Sequence, residues 1–213
     1  AKNHSLIHRG QGGRIGGECE DVAFTKVLHI TMAHLTKTPL GIFESDAASC
    51  FDRIVMRFAF MCFKVLGAPD KPLQMWEKTL YNVVHGIRTG YGESEATYTY
   101  SDDSPIIGPG QGSRGGVAAI CALSTILLRA FDKLGHGSTF LDPSQKQSYE
   151  GIAQMYFDDE TNYLNDFISW LHAPADQTEV VARLQRDTQI WERLLHTSGG
   201  ALRAGKCLFY AMT

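Results

Sequence analysis

The chain lacks the features that mark several classes of protein. Its five cysteines include no C-x-x-C pair and are odd in number, which argues against a zinc site and against a disulfide framework. We therefore expect buried, reduced thiols and an intracellular location, in the cytoplasm or the nucleus. No apolar run reaches the roughly 18 residues that a membrane span needs, and no signal peptide opens the chain. The sequence predicts no membrane partner.

The chain also lacks an excess of positive charge. A net charge of −3 leaves no basic footprint of the kind that nucleic-acid-binding proteins usually carry. With 44% apolar and 20% charged residues the composition is that of a globular protein. The chain opens at Ala1 and ends in the apolar run 207–212, so we expect a fragment of a longer protein. No segment is rich enough in linker residues to divide it, and we predict one domain over 1–213.

Hydrophobic periodicity predicts an order of helices and strands. The predicted helices are 18–36, 52–66, 71–84, 115–134 and 175–195, and the predicted strands are 41–46, a hairpin within 87–100, 152–157, 161–167 and 206–212. The first helix should bury one stripe, made of Val22, Ala23, Val27, Leu28, Ile30, Met32 and Leu35. This succession favours the α+β class, with an antiparallel sheet packed by helices on one face.

Carboxylates follow two of the short apolar runs. Asp46 comes after the first run, and Asp158 and Asp159 come after the run 152–157. Mg²⁺ prefers oxygen ligands, and two such ions about 3.5–4 Å apart can clamp both reacting oxygens of a phosphoryl transfer. An aspartate pair after a strand is, taken alone, an ordinary turn, because aspartate bonds to its own backbone. The remaining motifs decide between these two interpretations.

Those motifs resemble the palm of reverse transcriptases. In the segment 46–52 an aspartate is followed five residues later by the aromatic Phe51, as in their first palm motif. The sequence Gly-Gln-Gly at 110–112, ahead of a helix, is similar to their second motif. Tyr-Phe-Asp-Asp at 156–159 resembles their Tyr-x-Asp-Asp hairpin, and the helix 175–195 followed by Lys206 resembles their fourth motif.

A further segment and one departure complete the resemblance. Residues 11–14 lie ahead of a helix, like the segment that precedes the first motif in retroelement enzymes. After the second motif the chain reads Ser-Arg-Gly-Gly at 113–116, where the family usually carries Ser-Pro. The motifs occur in the family's order over nearly the whole chain. The resemblance implies a polymerase palm over about 41–213, a fingers-side segment over about 1–40, a fingers-side excursion near 67–112, partial fingers and no thumb.

The resemblance also implies an activity and its catalytic residues. It predicts template-directed DNA synthesis from RNA by two-metal nucleotidyl transfer, with two Mg²⁺ or Mn²⁺ ions. Asp46 and Asp158 would bridge the ions and Asp159 would be a weaker ligand. Lys206 would give a proton to the leaving pyrophosphate, although a lysine at a strand edge is an equally good interpretation.

Five residues are candidates for nucleotide binding. Phe51 would exclude a 2′-hydroxyl, or else be a core aromatic. Gln111 and Gly112 would contact the nucleotide or template, or else form an ordinary helix entry. Arg114, near a helix N-terminus, would contact phosphate or else be solvated. Arg14 would reach the triphosphate or the template.

The predicted partners are an RNA template, a DNA primer and deoxynucleoside triphosphates. The oligomeric state is not indicated. Two other functions stay open. One is an RNA-dependent RNA polymerase palm, in which Asp52 would read the 2′-hydroxyl. The other is a catalytically inactive, domesticated palm that binds nucleic acid or protein.

Overall fold

A computed structural model describes residues 6–13, 18–100, 108–109, 113–141, 148–151, 153–156, 159–165 and 177–212. The helices are α1 (Cys19–Thr36), α2 (Cys50–Arg53), α3 (Met56–Val65), α4 (Asp70–Tyr81), α5 (Arg114–Leu134) and α6 (Gln177–Thr197). The strands are β1 (Leu40–Asp46), β2 (Val84–Thr89), β3 (Gly92–Thr99), β4 (Ser138–Leu141), β5 (Ser148–Gly151), β6 (Ala153–Tyr156), β7 (Asp159–Asn165) and β8 (Leu208–Met212). A 3₁₀ turn, Ala204–Lys206, precedes β8.

The central sheet has the strand order β6-β7-β1-β8. All its pairings are antiparallel, with Asp46 opposite Asp159 at one end of the β1–β7 pair. The pairing with β8 runs only from Leu40 to Glu44. Beyond Glu44, the segment after α6 replaces β8 as the neighbour of β1. There the amide of Arg203 donates to the carbonyl of Asp46 at 2.9 Å. The end of β1 is therefore held from both sides.

Helices pack against both faces of this sheet, and not against one face as the sequence predicts. Phe43 belongs to the main core with the buried residues of α5 and α6. Ile42 and Tyr163 belong to a smaller core that includes Ala33 of α1. Since successive strand residues point to opposite faces, α1 covers the face that α5 and α6 leave open. The α+β class and the antiparallel sheet agree with the prediction.

The buried stripe of α1 differs from the predicted one. The two buried residues are His29 and Ala33, whereas Val27, Leu28 and Leu35 are exposed. His29 is buried because its ring stacks on Tyr163, with centroids 3.9 Å apart. Hydrophobicity alone therefore does not determine which face of α1 is buried. An aromatic contact made by a histidine determines it.

The predicted helix 52–66 is in fact two helices. The chain breaks at Ile54 and Val55, between α2 and α3. The carbonyl of Ile54 accepts from Gly108 at 2.8 Å, and the amide of Val55 donates to Ser198 at 3.0 Å. Because this carbonyl and this amide bond to distant segments, they cannot form the hydrogen bonds that a continuous helix would need.

The remaining elements agree with the prediction except at three places. The hairpins β2–β3 and β6–β7 form as expected, but the hairpin β4–β5 was not predicted. Lys206 ends the 3₁₀ turn instead of opening the last strand. All five cysteines are free, and Cys19 is exposed, contrary to the expectation of buried thiols. Within the described residues, no helix is long and apolar enough to cross a membrane.

Candidate active site

Asp46 ends β1, the strand that lies between β7 and β8. Its side chain is only 12% exposed. The three residues after it form a tight turn, in which Ser49 adopts a left-handed conformation (φ 48°) that is uncommon outside glycine. The amide of Ala48 donates to Ala201 at 2.8 Å. The turn is thus tied to the segment after α6, and this holds the Asp46 carboxylate at the edge of a cleft.

Lys206 lies at this carboxylate. Its Nζ is 2.8 Å from Oδ2 of Asp46, and its side chain is 56% exposed. The 3₁₀ turn brings it there, because Arg203 bonds to the Asp46 carbonyl and Lys206 follows three residues later. The structure therefore brings together two residues that are 160 positions apart in the sequence and that the motifs assign to one site.

The register of the sheet places the Tyr-Phe-Asp-Asp motif beside the first motif, which begins at Asp46. Asp159 opens β7 and is the cross-strand partner of Asp46. Partner positions in an antiparallel pair have Cα atoms about 4.5–5.5 Å apart. Asp158 lies outside the described residues. Among the residues that are described, no group of three or more His, Cys, Asp or Glu side chains is arranged to hold a metal ion.

A buried pair lies one register step inside this point. Ser45 is the cross-strand partner of Glu160, and its hydroxyl donates to Oε2 of Glu160 at 2.7 Å. Glu160 is 2% exposed, and among the described residues its Oε1 has no hydrogen-bond partner. Burial raises the pKa of this carboxyl well above its usual range, and the hydroxyl of Ser45 opposes that shift only in part.

A cleft of about 390 Å³ opens beside these residues. Asp46 and Glu160 of the sheet, Lys206 and residues from the first turns of α1 line this cleft. Lys26 of α1 forms an ion pair with Glu44 across the cleft. Its Nζ also lies 5.6 Å from the centre of the Tyr210 ring. The cleft thus carries both carboxylates and ammonium groups, which is a donor set suited to a cation and to phosphate.

Phe51 lies in the short helix α2, next to the entry of the second motif. Its ring is half-buried and packs against the main core. Gly108 adopts a φ of +77°, and a Cβ there would lie 2.8 Å from the carbonyl oxygen of Phe51. Only glycine fits so close a backbone approach. The chain leading to the second motif therefore passes directly over α2.

The other predicted nucleotide contacts are only partly described. Arg14, Gln111 and Gly112 lie outside the described residues, and Arg114 is seen only as the first residue of α5. The segment preceding Arg14 is described: Gln11 is buried and bridges to Met155 in β6. The loop ahead of the first helix thus lies against the strand that leads to the aspartate pair.

Sequence reasoning missed several residues of this cleft. Glu160 directly follows the aspartate pair, and this run of three carboxylates was a signal that went unused. Ser45 and Lys26 gave no signal, because their roles depend on the register of β1 and on which face of α1 is buried. Since they depend on long-range packing, they emerge only from the three-dimensional structure.

The chain is similar in structure to telomerases of two yeasts. Apo telomerase of Candida tropicalis, truncated from its C-terminal domain, matches with a TM-score of 0.61 at 9% identity, over 96% of this chain and 36% of that one. Telomerase of Candida albicans in complex with the TWJ fragment of telomeric RNA matches with a TM-score of 0.58 at 11% identity, over 92% and 31%. The corresponding complex from Candida tropicalis matches with a TM-score of 0.60 at 10% identity, over 99% and 31%.

These likenesses concern the fold alone, since the identities are so low. The chain spans about a third of the length of these telomerase chains. No protein-family model matches the sequence, and no curated protein matches it either. Telomerase is a reverse transcriptase, so the fold agrees with the family that the motifs resemble. The α+β class with an antiparallel sheet is confirmed, and the fold is similar to that of telomerase.

Proposed function

We propose that this chain is the palm of a retroelement reverse transcriptase, which copies an RNA template into DNA by two-metal nucleotidyl transfer. The observation that carries the proposal is the register of the central sheet. It sets Asp46 opposite Asp159 on neighbouring strands, in a fold that is similar to that of telomerase. The order of the motifs along the chain supports the same activity.

The donor set fits a pair of hard cations. Carboxylate oxygens are the ligands that Mg²⁺ and Mn²⁺ prefer, and Asp46 already has a cationic partner in the ammonium of Lys206. Asp46 and Asp158 would hold the ions and Asp159 would assist. When bound, the ions would make the primer 3′-hydroxyl more acidic and offset charge on the triphosphate.

The residues of the chain supply the remaining steps. Lys206 reaches into the cleft on a half-exposed side chain, so it can leave Asp46 and give a proton to the departing pyrophosphate. Phe51, beside the entry of the second motif, would lie beneath the sugar and exclude a 2′-hydroxyl. Gln111, Gly112, Arg114 and Arg14 would contact the nucleotide and the template.

The partners proposed are an RNA template, a DNA primer and deoxynucleoside triphosphates. Two of the telomerase structures contain a fragment of telomeric RNA, which supports an RNA partner here. The net charge of −3 leaves most phosphate contacts to a few local cations in the cleft, such as Lys26 and Lys206.

Primer extension by the full-length protein tests the proposal. We expect a DNA primer on an RNA template to be extended with deoxynucleotides when Mg²⁺ or Mn²⁺ is added. Asp46→Asn and Asp158→Asn should each abolish extension and leave the circular dichroism spectrum unchanged, because the shape is kept and a metal ligand is lost. Asp70→Asn is the matched control, since Asp70 forms only an exposed ion pair with Lys64.

The outcome also separates the two alternatives. Extension with ribonucleotides in preference to deoxynucleotides would identify an RNA polymerase. Binding of RNA without any extension would identify an inactive palm. Wild-type extension by Asp158→Asn would show that the chemistry does not depend on the aspartate pair, and the two-metal proposal would then be abandoned.

A further inference from the structure

Glu160 is an unusual residue for the interior of a sheet. It is 2% exposed, and within the part of the chain that the structure describes only one of its carboxyl oxygens has a hydrogen-bond partner. An acid that is buried and half satisfied destabilises a fold compared with an apolar residue of the same size. A gain in stability therefore does not explain why an acid lies here. Its hydrogen-bond partner indicates another role.

That partner lies across two strands at a particular place. The hydroxyl of Ser45 donates to Oε2 of Glu160 at 2.7 Å, and both residues are buried. Ser45 precedes Asp46 on β1, and Glu160 follows Asp159 on β7. The two pairs of residues are consecutive steps of the same register. The hydrogen bond is thus the last side-chain link across β1 and β7 before the two aspartates.

We propose that Ser45 and Glu160 are positioning residues, whose hydrogen bond sets the separation of the strand ends that carry Asp46 and Asp159. The proposal rests on the function proposed above and assigns these residues no contact with metal or substrate. Without the link, only the backbone pairing of β1 and β7 would set the separation of these two positions. Residues that orient metal ligands in this way change the affinity for the metal, and their effect on overall stability is separate.

Binding of Mn²⁺ to the full-length protein, measured by electron paramagnetic resonance, tests this. The quantity of interest is the Mn²⁺ binding that disappears in Asp46→Asn. For that binding we expect Ser45→Ala and Glu160→Leu to raise the Kd about tenfold, the low end of what loss of a ligand's supporting partner causes. Glu160→Gln keeps an oxygen that accepts from Ser45, so its Kd should stay within about twofold of wild type, well below that tenfold effect.

A buried serine far from the site provides the control. Ser138 is buried in β4 and donates to the carbonyl of Gly151 at 2.8 Å. Ser138→Ala therefore also loses one buried hydrogen bond, and we expect it to lower the unfolding temperature without changing the Kd for Mn²⁺. A merely structural role for Ser45 would make Ser45→Ala behave in the same way.

Three results would overturn the inference. The first is wild-type Mn²⁺ affinity in folded Ser45→Ala and Glu160→Leu. The second is loss of binding in Glu160→Gln as complete as in Asp46→Asn, which would make Glu160 a ligand and not a positioning residue. The third is a wild-type protein with no Mn²⁺ binding that depends on Asp46. This third result would refute the proposed function as well as the inference. The first two results would refute the inference alone, so the two failures are distinguishable.

Discussion

Gly199 is a described residue at which a single added methyl group should disturb the candidate site. It turns the chain after α6 with a φ of +91°, and a Cβ at this position would lie 2.4 Å from the carbonyl oxygen of Arg53 and 2.9 Å from Cγ2 of Val55. The chain that follows it bonds to Ala48 and Asp46. Gly199→Ala therefore combines a strained backbone with a backbone clash beside the site.

A second glycine allows the two effects to be separated. Gly67 has nearly the same conformation, with a φ of +90°, but a Cβ there would have nothing within 4 Å. A left-handed conformation costs an alanine about 1–2 kcal/mol, of which about 0.4–1 kcal/mol is offset because alanine restricts the unfolded chain. We therefore expect Gly67→Ala to lower the free energy of unfolding by about 0–1.6 kcal/mol.

The clash adds to this at Gly199. Forcing extra atoms into a packed site typically costs about 1–3 kcal/mol, and the atom in the way is a backbone carbonyl that cannot rotate aside. We expect Gly199→Ala to lose about 1–4.6 kcal/mol in all. For a protein of this size each kcal/mol shifts the unfolding temperature by roughly 2–4 °C.

Urea unfolding of the two purified variants beside wild type measures both losses. The slopes with urea must agree among the three proteins for the midpoints to be compared. Equal losses for Gly199→Ala and Gly67→Ala would refute the reasoning, because the clash would then contribute nothing. A variant of Gly199 that keeps its stability would show that the turn can relax without affecting Arg53.

Further predictions concern the buried histidine, the ion pair and the aromatic ring. Burial lowers the pKa of His29 below 6.5, with a hydrogen bond to Thr25 opposing the shift, so the unfolded chain takes up the proton first. The urea midpoint should therefore fall as the pH drops below 6.5. His29→Phe should weaken this pH dependence of the midpoint. The control His34→Phe, at an exposed position of the same helix, should not weaken it. Lys206→Met should slow primer extension about 10²–10⁴-fold, with Lys64→Met, which breaks an exposed ion pair, as the control; unchanged extension would remove Lys206 from the mechanism. Phe51→Ala should raise kcat/KM for ribonucleotides relative to deoxynucleotides, because a steric barrier is removed; an unchanged ratio together with lower stability would make Phe51 a core residue only.

Sequence patterns predicted the elements that depend on local spacing. The turn residues and apolar run ahead of Asp46 predict a strand, and the pattern Tyr-Phe-Asp-Asp predicts the hairpin of β6 and β7 that the structure contains. The predictions from sequence patterns were wrong where a bond to a distant segment determines the local structure. The helix break at Ile54 and Val55 depends on bonds to Gly108 and Ser198, and the buried face of α1 depends on the stacking of His29 on Tyr163.

The candidate site divides in the same way. The sequence assigned Asp46 and Lys206 to one site, because a family resemblance carries information about space that periodicity does not. The metal and nucleotide roles stay predictions, since Asp158, Gln111, Gly112 and Arg14 lie outside the described residues. Ser45 and Glu160 escaped sequence reasoning, because their pairing depends on which residues of β1 and β7 lie opposite each other.

The amino-acid sequence by itself determined the order of the elements and the chemistry available to them. Apolar runs with period 2 or 3.6 and glycine-rich turns act over a few residues, so they can be read directly along the chain. Only the tertiary structure decided the register that sets Asp46 opposite Asp159, the close approach of Gly199 to Arg53 and the burial of Glu160. Each of these joins segments that are more than 100 positions apart. Such contacts form when whole elements pack, and that packing is a property of the folded chain and not of any local stretch.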